Sequence, residues 1–281
     1  MTWTTCLSKS VPYLSAKGVT DAEIVAELLA ARLLGIGRGL LANYLEREVE
    51  ERQLQAMRRG MARLIKGEPI QYVLGEWDFR SLTLKCDSRA LIPRPETEEL
   101  VTRVLKVVKP GMVVVDVGTG SGAIALSLAK EAPLGVGIIA TDVSEAAIEL
   151  ARENAELTKL TDRVVFALGD GLDDFDEATS IDIIVSNPPY IESAVCNTLD
   201  RKVRDFEPRL ALDGGESGLN FYERYLADAL NLLKPNGRVF FEIGENQGEA
   251  LKNMMTSFGF TEVLIEKDYA GHDRYASALL P

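Results

Sequence analysis

Histidine occurs once and cysteine three times in the 281 residues. Cys6, Cys86 and Cys196 are widely scattered, so they form neither a disulfide framework nor a thiolate metal knuckle. No apolar run approaches the roughly 18 residues that a membrane-spanning helix needs. Met1-Thr2-Trp3-Thr4-Thr5 lacks the basic and apolar regions of a signal peptide, and the expected location is the cytoplasm. What is there is an ordinary globular balance, 46% hydrophobic and 26% charged, in a chain long enough for one large domain and a smaller one. The net charge of -12 is unevenly placed. Residues 1–75 carry ten Lys/Arg against eight Asp/Glu, whereas the remainder carries 21 against 35. That acidic remainder repels a phosphate backbone, so any nucleic-acid contact would have to come through the N-terminal part.

The chain is organised around Ile181-Asp182-Ile183-Ile184-Val185-Ser186-Asn187-Pro188-Pro189-Tyr190. The β-branched run reads as a strand buried on both faces, and two prolines must end it because neither donates to a sheet ladder. Asn187 therefore sits at a strand's C-terminal edge, where open α/β sheets bind ligands. The prolines leave the Asn187 amide and backbone carbonyls as rigid hydrogen-bonding groups, and Tyr190 adds an aromatic face.

Ahead of this stretch, Thr20-Asp21-Ala22-Glu23 has the spacing of a capping box, followed by apolar residues at helical period. Residues 1 to about 70 read as a small helical bundle with Gly35, Gly37, Gly39 and Gly60 as weak or breaking points. Residues 77–85 alternate loosely and suit a short hairpin between domains. In Leu91-Ile92-Pro93-Arg94-Pro95-Glu96-Thr97-Glu98, Pro95 and the acidic residues suit a helix's first turn. From residue 110 strands and helices alternate, with strands expected at 112–117, 137–142, 163–170 and 181–186 and further strands at 237–243, 261–266 and 275–280. This is a parallel, doubly wound α/β sheet.

Gly118, Gly120 and Gly122 let the backbone turn sharply and approach a ligand. The loop also satisfies the dinucleotide fingerprint, so by itself it separates neither NAD nor S-adenosylmethionine. Asp142 ends the second strand, where either cofactor presents ribose hydroxyls. Asp116, before the glycines, suits an amino-acid ammonium, and Asp170 stands where an adenine amino group could be met. A crevice of three carboxylates favours the cationic S-adenosylmethionine.

Asp116-Val117-Gly118-Thr119-Gly120-Ser121-Gly122 together with Asn187-Pro188-Pro189-Tyr190 resembles the class I methyltransferases that act on planar nitrogen. Residues 67–75, 92–98 and 207–219 narrow this to a resemblance to the peptide chain release factor N5-glutamine methyltransferases. The resemblance implies a class I methyltransferase domain over 93–281 with a seven-stranded, doubly wound sheet. It also implies a helical substrate-recognition domain over 1–72 and a β-hairpin linker over 73–92. The implied reaction is methylation of the glutamine in the Gly-Gly-Gln loop of class 1 release factors, the expected partners, with no membrane and no direct nucleic-acid substrate. By that match residues 118–122, Asp142 and Asn187 line the cofactor, and Asp116, Asp170 and Gly171 are expected beside them. Asn187, Pro188, Pro189 and Tyr190 hold the glutamine, with Asn187, Pro188 and Tyr190 as catalytic groups. Gly171 stands where some members carry an aromatic residue against the adenine, and Leu172 is the expected stand-in.

The chemistry suits these residues independently. Asn187 Oδ1 and the Pro188 carbonyl are acceptors that can take both N–H groups of a planar amide and hold its nitrogen in line with the methyl group. An adenine-N6 methyltransferase is the rival, since the same geometry serves an exocyclic amine, but the acidic catalytic region opposes a basic channel. His272 reads as a loop residue rather than a general base, and Asp173, Asp174, Asp176 and Glu177 as a solvated acidic face rather than a metal cluster. Arg94 and Glu96 either position substrate or brace the hairpin.

Overall fold

Four helices follow the apolar periodicity of the first 76 residues: α1 (Trp3–Ala16), α2 (Ala22–Leu34), α3 (Glu51–Ile65) and α4 (Ile70–Leu74). The computed structural model describes residues 1–176 and 180–281. It divides into two units, one of residues 1–76 with 200–206, the other of residues 77–199 with 207–281.

The smaller unit buries Trp3, Leu14, Ala26, Leu29, Met57 and Leu64 in one core. Gly60 does not break a helix but lies inside α3, because a β-carbon there would overlap the Leu29 side chain of α2. The Thr20 capping box does not form. Asp21 is the N-cap of α2 in a left-handed conformation with no side-chain bond, and Thr20 Oγ1 instead accepts from Lys202 Nζ at 2.8 Å. The box appears one helix later, where Gln53 Oε1 accepts from the Glu50 N–H at the start of α3.

Residues 77–85 fold as two strands, β1 (Glu76–Phe79) and β2 (Leu82–Lys85), turned by Arg80 at φ 52°. After α5 (Pro95–Leu105) the larger unit alternates β3 (Val113–Val117), α6 (Ala123–Glu131), β4 (Gly137–Asp142), α7 (Glu145–Thr158), β5 (Val165–Leu168) and β6 (Ile181–Ser186). Short helices α8 (Ser193–Cys196) and α9 (Arg201–Arg204) precede α10 (Asn220–Leu232), β7 (Leu233–Glu242), α11 (Gly248–Ser257), β8 (Thr261–Lys267) and β9 (Asp273–Leu279).

The seven-stranded sheet has the order β5-β4-β3-β6-β7-β9-β8. Pairs through β7 are parallel, as the buried β-branched runs predict, but β9 is antiparallel to both β7 and β8, so the sheet is mixed rather than all parallel. Alternation along β3 feeds two cores, with Val114 packing on the α5/α6 face and Val115 and Val117 on the α10/α11 face. The order reverses between β3 and β6, so the loops after β3, β4 and β6 open at one carboxyl edge, the switch point where such sheets bind ligands. Among the described residues no helix is long and apolar enough to cross a membrane.

Candidate functional site

That edge of the larger unit holds a cavity of about 410 Å³, walled by residues 118–121, Asp142, Asp170, Gly171, Asn187 and Pro189, with Arg94 and Thr97 on the α5 side. The structure thus brings most of the expected site residues together. Asp116, Gly122, Pro188 and Tyr190 do not form its wall.

Each wall has a local cause. Gly118 and Thr119 donate to the Thr141 carbonyl at 2.9 and 2.8 Å, which folds the loop back over β4. Gly118 takes φ 73°, and a β-carbon there would meet no atom within 4 Å, so the loop leaves an open cradle at the cavity. Gly122 serves packing instead: its β-carbon would lie 3.2 Å from Ala151 of α7. Asp142 accepts from the Gly120 and Ser144 N–H groups, each at 2.9 Å, and burial is the main cause holding its carboxyl above the usual range. Asn154, fully buried on α7, bonds both the Ser121 carbonyl and the backbone of Lys85, tying the glycine loop to β2.

Asp116 is fully buried and accepts from Thr119 Oγ1 at 2.6 Å and Ala125 N at 3.1 Å. Burial pushes its carboxyl up to about 7, and its Oδ1 has no protein partner among the described residues. It props the glycine loop through Thr119 and is not part of the cavity wall, where an ammonium acceptor was expected. Asp170 is bound by Arg224 of α10, whose Nη1 donates to Oδ1 at 2.8 Å while Nη2 lies 2.7 Å from Asp173. The crevice is consequently less one-sidedly acidic than the carboxylates alone predict, since Arg89, Arg94 and Arg224 also line it. Arg224 and Tyr225 fill the space beside Gly171: a β-carbon there would come within 3.0 Å of Tyr225 Cε1 and 3.4 Å of Arg224 Cζ. Leu172 is buried in the core beneath α10, so the aromatic surface is offered by Phe221 and Tyr225. Their helix was not anticipated, although the i, i+4 pair at 221 and 225 is a helical signal. The Asp173 to Asp176 loop is tied at Asp173 to Arg224, and Glu177 lies outside the described residues.

Asn187 is half-buried at the end of β6, with Nδ2 donating to Thr97 Oγ1 at 3.1 Å. Thr97 in turn donates to Glu242 Oε2 at 2.6 Å, from the last residue of β7. The backbone after Asn187 is braced by residues 213–218. A β-carbon on Gly214 would stand 2.7 Å from the Pro189 carbonyl oxygen and 2.8 Å from Tyr190 Cα, and Gln247 Nε2 donates to the Tyr190 carbonyl at 3.0 Å. The Tyr190 ring packs toward the α10/α11 core, and burial pushes its hydroxyl up to about 12. Arg94 does bracing work: its Nη2 lies 2.6 Å from Oε1 of the buried Glu207, whose Oε2 accepts from the Ile92 N–H. His272 Nδ1 pairs with Glu245 at 3.1 Å on the surface, away from the cavity wall.

The cradle at Gly118, the apolar residues Leu91, Ile92, Phe221 and Tyr225, and the acceptor at Asp142 suit a nucleoside bearing an amino-acid tail. Comparison with known proteins agrees. A methyltransferase domain model matches residues 108–272 and a PrmC N-terminal domain model matches residues 5–75. The chain is 39% identical over 277 residues to the release factor glutamine methyltransferase of Moorella thermoacetica, covering 98% of this chain and 97% of that one. It is 41% identical over 238 residues to the protein of the same name from Lactococcus lactis, covering 84% of this chain and 86% of that one. Among solved structures, a methyltransferase from Pyrococcus furiosus is similar with a TM-score of 0.53 at 22% identity, over 70% of this chain and 88% of that one.

Proposed function

Since the chain belongs to the family of release factor glutamine methyltransferases and has the class I methyltransferase fold, we propose that it methylates N5 of the glutamine in the Gly-Gly-Gln motif of class 1 release factors. S-adenosylmethionine is the methyl donor and supplies an electrophilic methyl group on a sulfonium. The observation that carries the reading is that Asn187 and Pro189 share one cavity wall with the glycine loop and Asp142, at the switch point between β3 and β6.

Residues 118–121 and Asp142 hold the donor, the carboxylate taking ribose hydroxyls, while Phe221 and Tyr225 flank the adenine. Asn187 Oδ1 accepts one N–H of the glutamine amide and the Pro188 carbonyl, which must be reached between Asn187 and Pro189 because Pro188 itself is buried behind the wall, accepts the other, so that the nitrogen is aimed at the methyl group. An amide nitrogen is a poor nucleophile because its lone pair is delocalised. As it attacks, it gains positive character, so both acceptors bind the transition state more tightly than the ground state. No strong base is required, because the alkylated amide nitrogen loses a proton readily. We assign substrate recognition to the smaller unit, whose charge balance is slightly basic.

The test is mass spectrometry of unmethylated release factor incubated with the protein and S-adenosylmethionine. One methyl group on the Gly-Gly-Gln glutamine is the expected result. Methylation of adenine in nucleic acid, with the release factor untouched, would overturn the reading.

A further inference from the structure

The Asn187 amide has an acceptor end and a donor end, and the reaction proposed above uses only the acceptor. What decides which end faces the cavity lies behind it. Asn187 Nδ2 is 3.1 Å from Thr97 Oγ1, and Thr97 Oγ1 is 2.6 Å from Glu242 Oε2. Thr97 and Glu242 are both buried, at 5% and 2% exposure, and burial strengthens these bonds.

The threonine hydroxyl owns one proton, and an ionised carboxylate can only accept. That proton is therefore committed to Glu242. Toward Asn187 the hydroxyl has only a lone pair left, and only the NH₂ end of the amide can satisfy it. With the amide turned round, Oδ1 would face that lone pair and two buried acceptors would be left opposed, an arrangement that leaves both unsatisfied. We propose that Thr97 and Glu242 are positioning residues that lock the Asn187 amide with Oδ1 toward the methyl-accepting nitrogen. The inference rests on the reading that Asn187 receives an amide N–H.

Both members are themselves held. Thr97 stands in the first turn of α5, where its N–H donates to the Arg94 carbonyl at 3.1 Å. Glu242 ends a strand paired on both sides, and Tyr222 donates to its main-chain carbonyl at 2.8 Å. The two prolines around Arg94 thus gain a purpose: they fix where α5 begins, and so where the Thr97 hydroxyl lies.

Thr97→Val keeps the shape and removes both hydrogen-bonding capacities, while Thr97→Ser keeps them. The valine variant should lose roughly tenfold to a hundredfold in kcat, with KM for the release factor and Kd for S-adenosylmethionine within about twofold of the parent, and the serine variant should recover most of the loss. Glu242→Gln has donors of its own, releases the Thr97 proton from its commitment, and should also lower kcat. A readout independent of turnover is the ¹⁵N side-chain amide pair of Asn187, identified by its absence from Asn187→Asp. Its hydrogen-bonded proton resonance should vanish in Thr97→Val and persist in Thr97→Ser. An unchanged amide pair or undiminished kcat in the valine variant overturns the relay. A parent protein that leaves the release factor unmethylated while its amide pair behaves as stated overturns the proposed reaction instead, and the relay stands.

Discussion

Glu242 titrates in the range where the relay has to work. Burial pushes its carboxyl up to about 7 from 4.5, against the Thr97 hydrogen bond first and then the pull of Arg274 and Arg94, and with the push of Glu96. Tyr190, Tyr222 and Tyr275 also face it, each with its hydroxyl held above the usual range and so neutral near pH 7. Below about 7 the acid carries its own proton, donates it to Thr97, and sends the Thr97 proton toward Asn187 Oδ1, turning the amide round. The kcat profile should therefore fall on the acid side of about 7, and a flat profile between pH 6 and 8 would refute this. Stability should run the other way. Between 4.5 and about 7 the folded chain keeps a proton that the unfolded chain has released, so this stabilisation is full below 4.5 and is lost as pH rises through about 7. Asp116, raised from 3.8 to about 7, adds the same sign, so thermal midpoints should decline from pH 5 to pH 8. Asn187→Ala should cost roughly 100-fold in turnover with cofactor affinity nearly unchanged by calorimetry, and a parent-like rate would remove Asn187 from the reaction. At this scale the sequence announced Asn187, the glycine loop and Asp142, whose chemistry is local. Thr97 and Glu242 meet across 145 positions, and only a charged residue in the apolar run Val239-Phe240-Phe241-Glu242-Ile243 hinted at them.

The elements supply backbone approaches as tight as the side-chain geometry. Gly214 lies against the Pro189 carbonyl and Tyr190 Cα, which are backbone atoms that cannot step aside. Gly214→Ala should displace the loop after β6, lowering kcat by about tenfold or more and stability by about 1–3 kcal/mol, both measurable on one preparation. Turnover at the parent level would mean that the loop tolerates the shift. The strands were legible because buried parallel β-runs are nearly continuous in β-branched residues, and their ends fell within about two residues of the expected positions except at the start of β7, which begins at Leu233 rather than at 237. The start of α2 fell within two residues of Thr20, but its capping box did not form, because Thr20 spends its hydroxyl on Lys202 rather than on a helix N–H. α10 carries a weaker signal, since its N-cap, Leu219, makes no side-chain cap bond and only the helical spacing of Phe221, Tyr225 and Leu232 marks it.

For the molecule as a whole, the division into two units makes separable effects testable. Gly60→Ala forces a methyl group against Leu29, itself buried in the core of the smaller unit, and should destabilise that unit by about 1–3 kcal/mol. If that unit recognises the substrate, KM for the intact release factor should rise while the Kd for S-adenosylmethionine stays put. Equal losses in both would count against the assignment. The smaller unit is also discontinuous, since residues 200–206 complete it with Lys202 on Thr20 and Phe206 beside Gly67. That discontinuity bears on how the chain is made. The first 76 residues leave the ribosome early, but the segment that completes them follows about 130 residues later, a delay of about 6–26 s at roughly 5–20 residues per second. For that interval the leading helices wait as an unfinished nascent bundle, and strands β3 to β6 of the larger unit are made before the smaller unit can close, whereas β7 to β9 follow it.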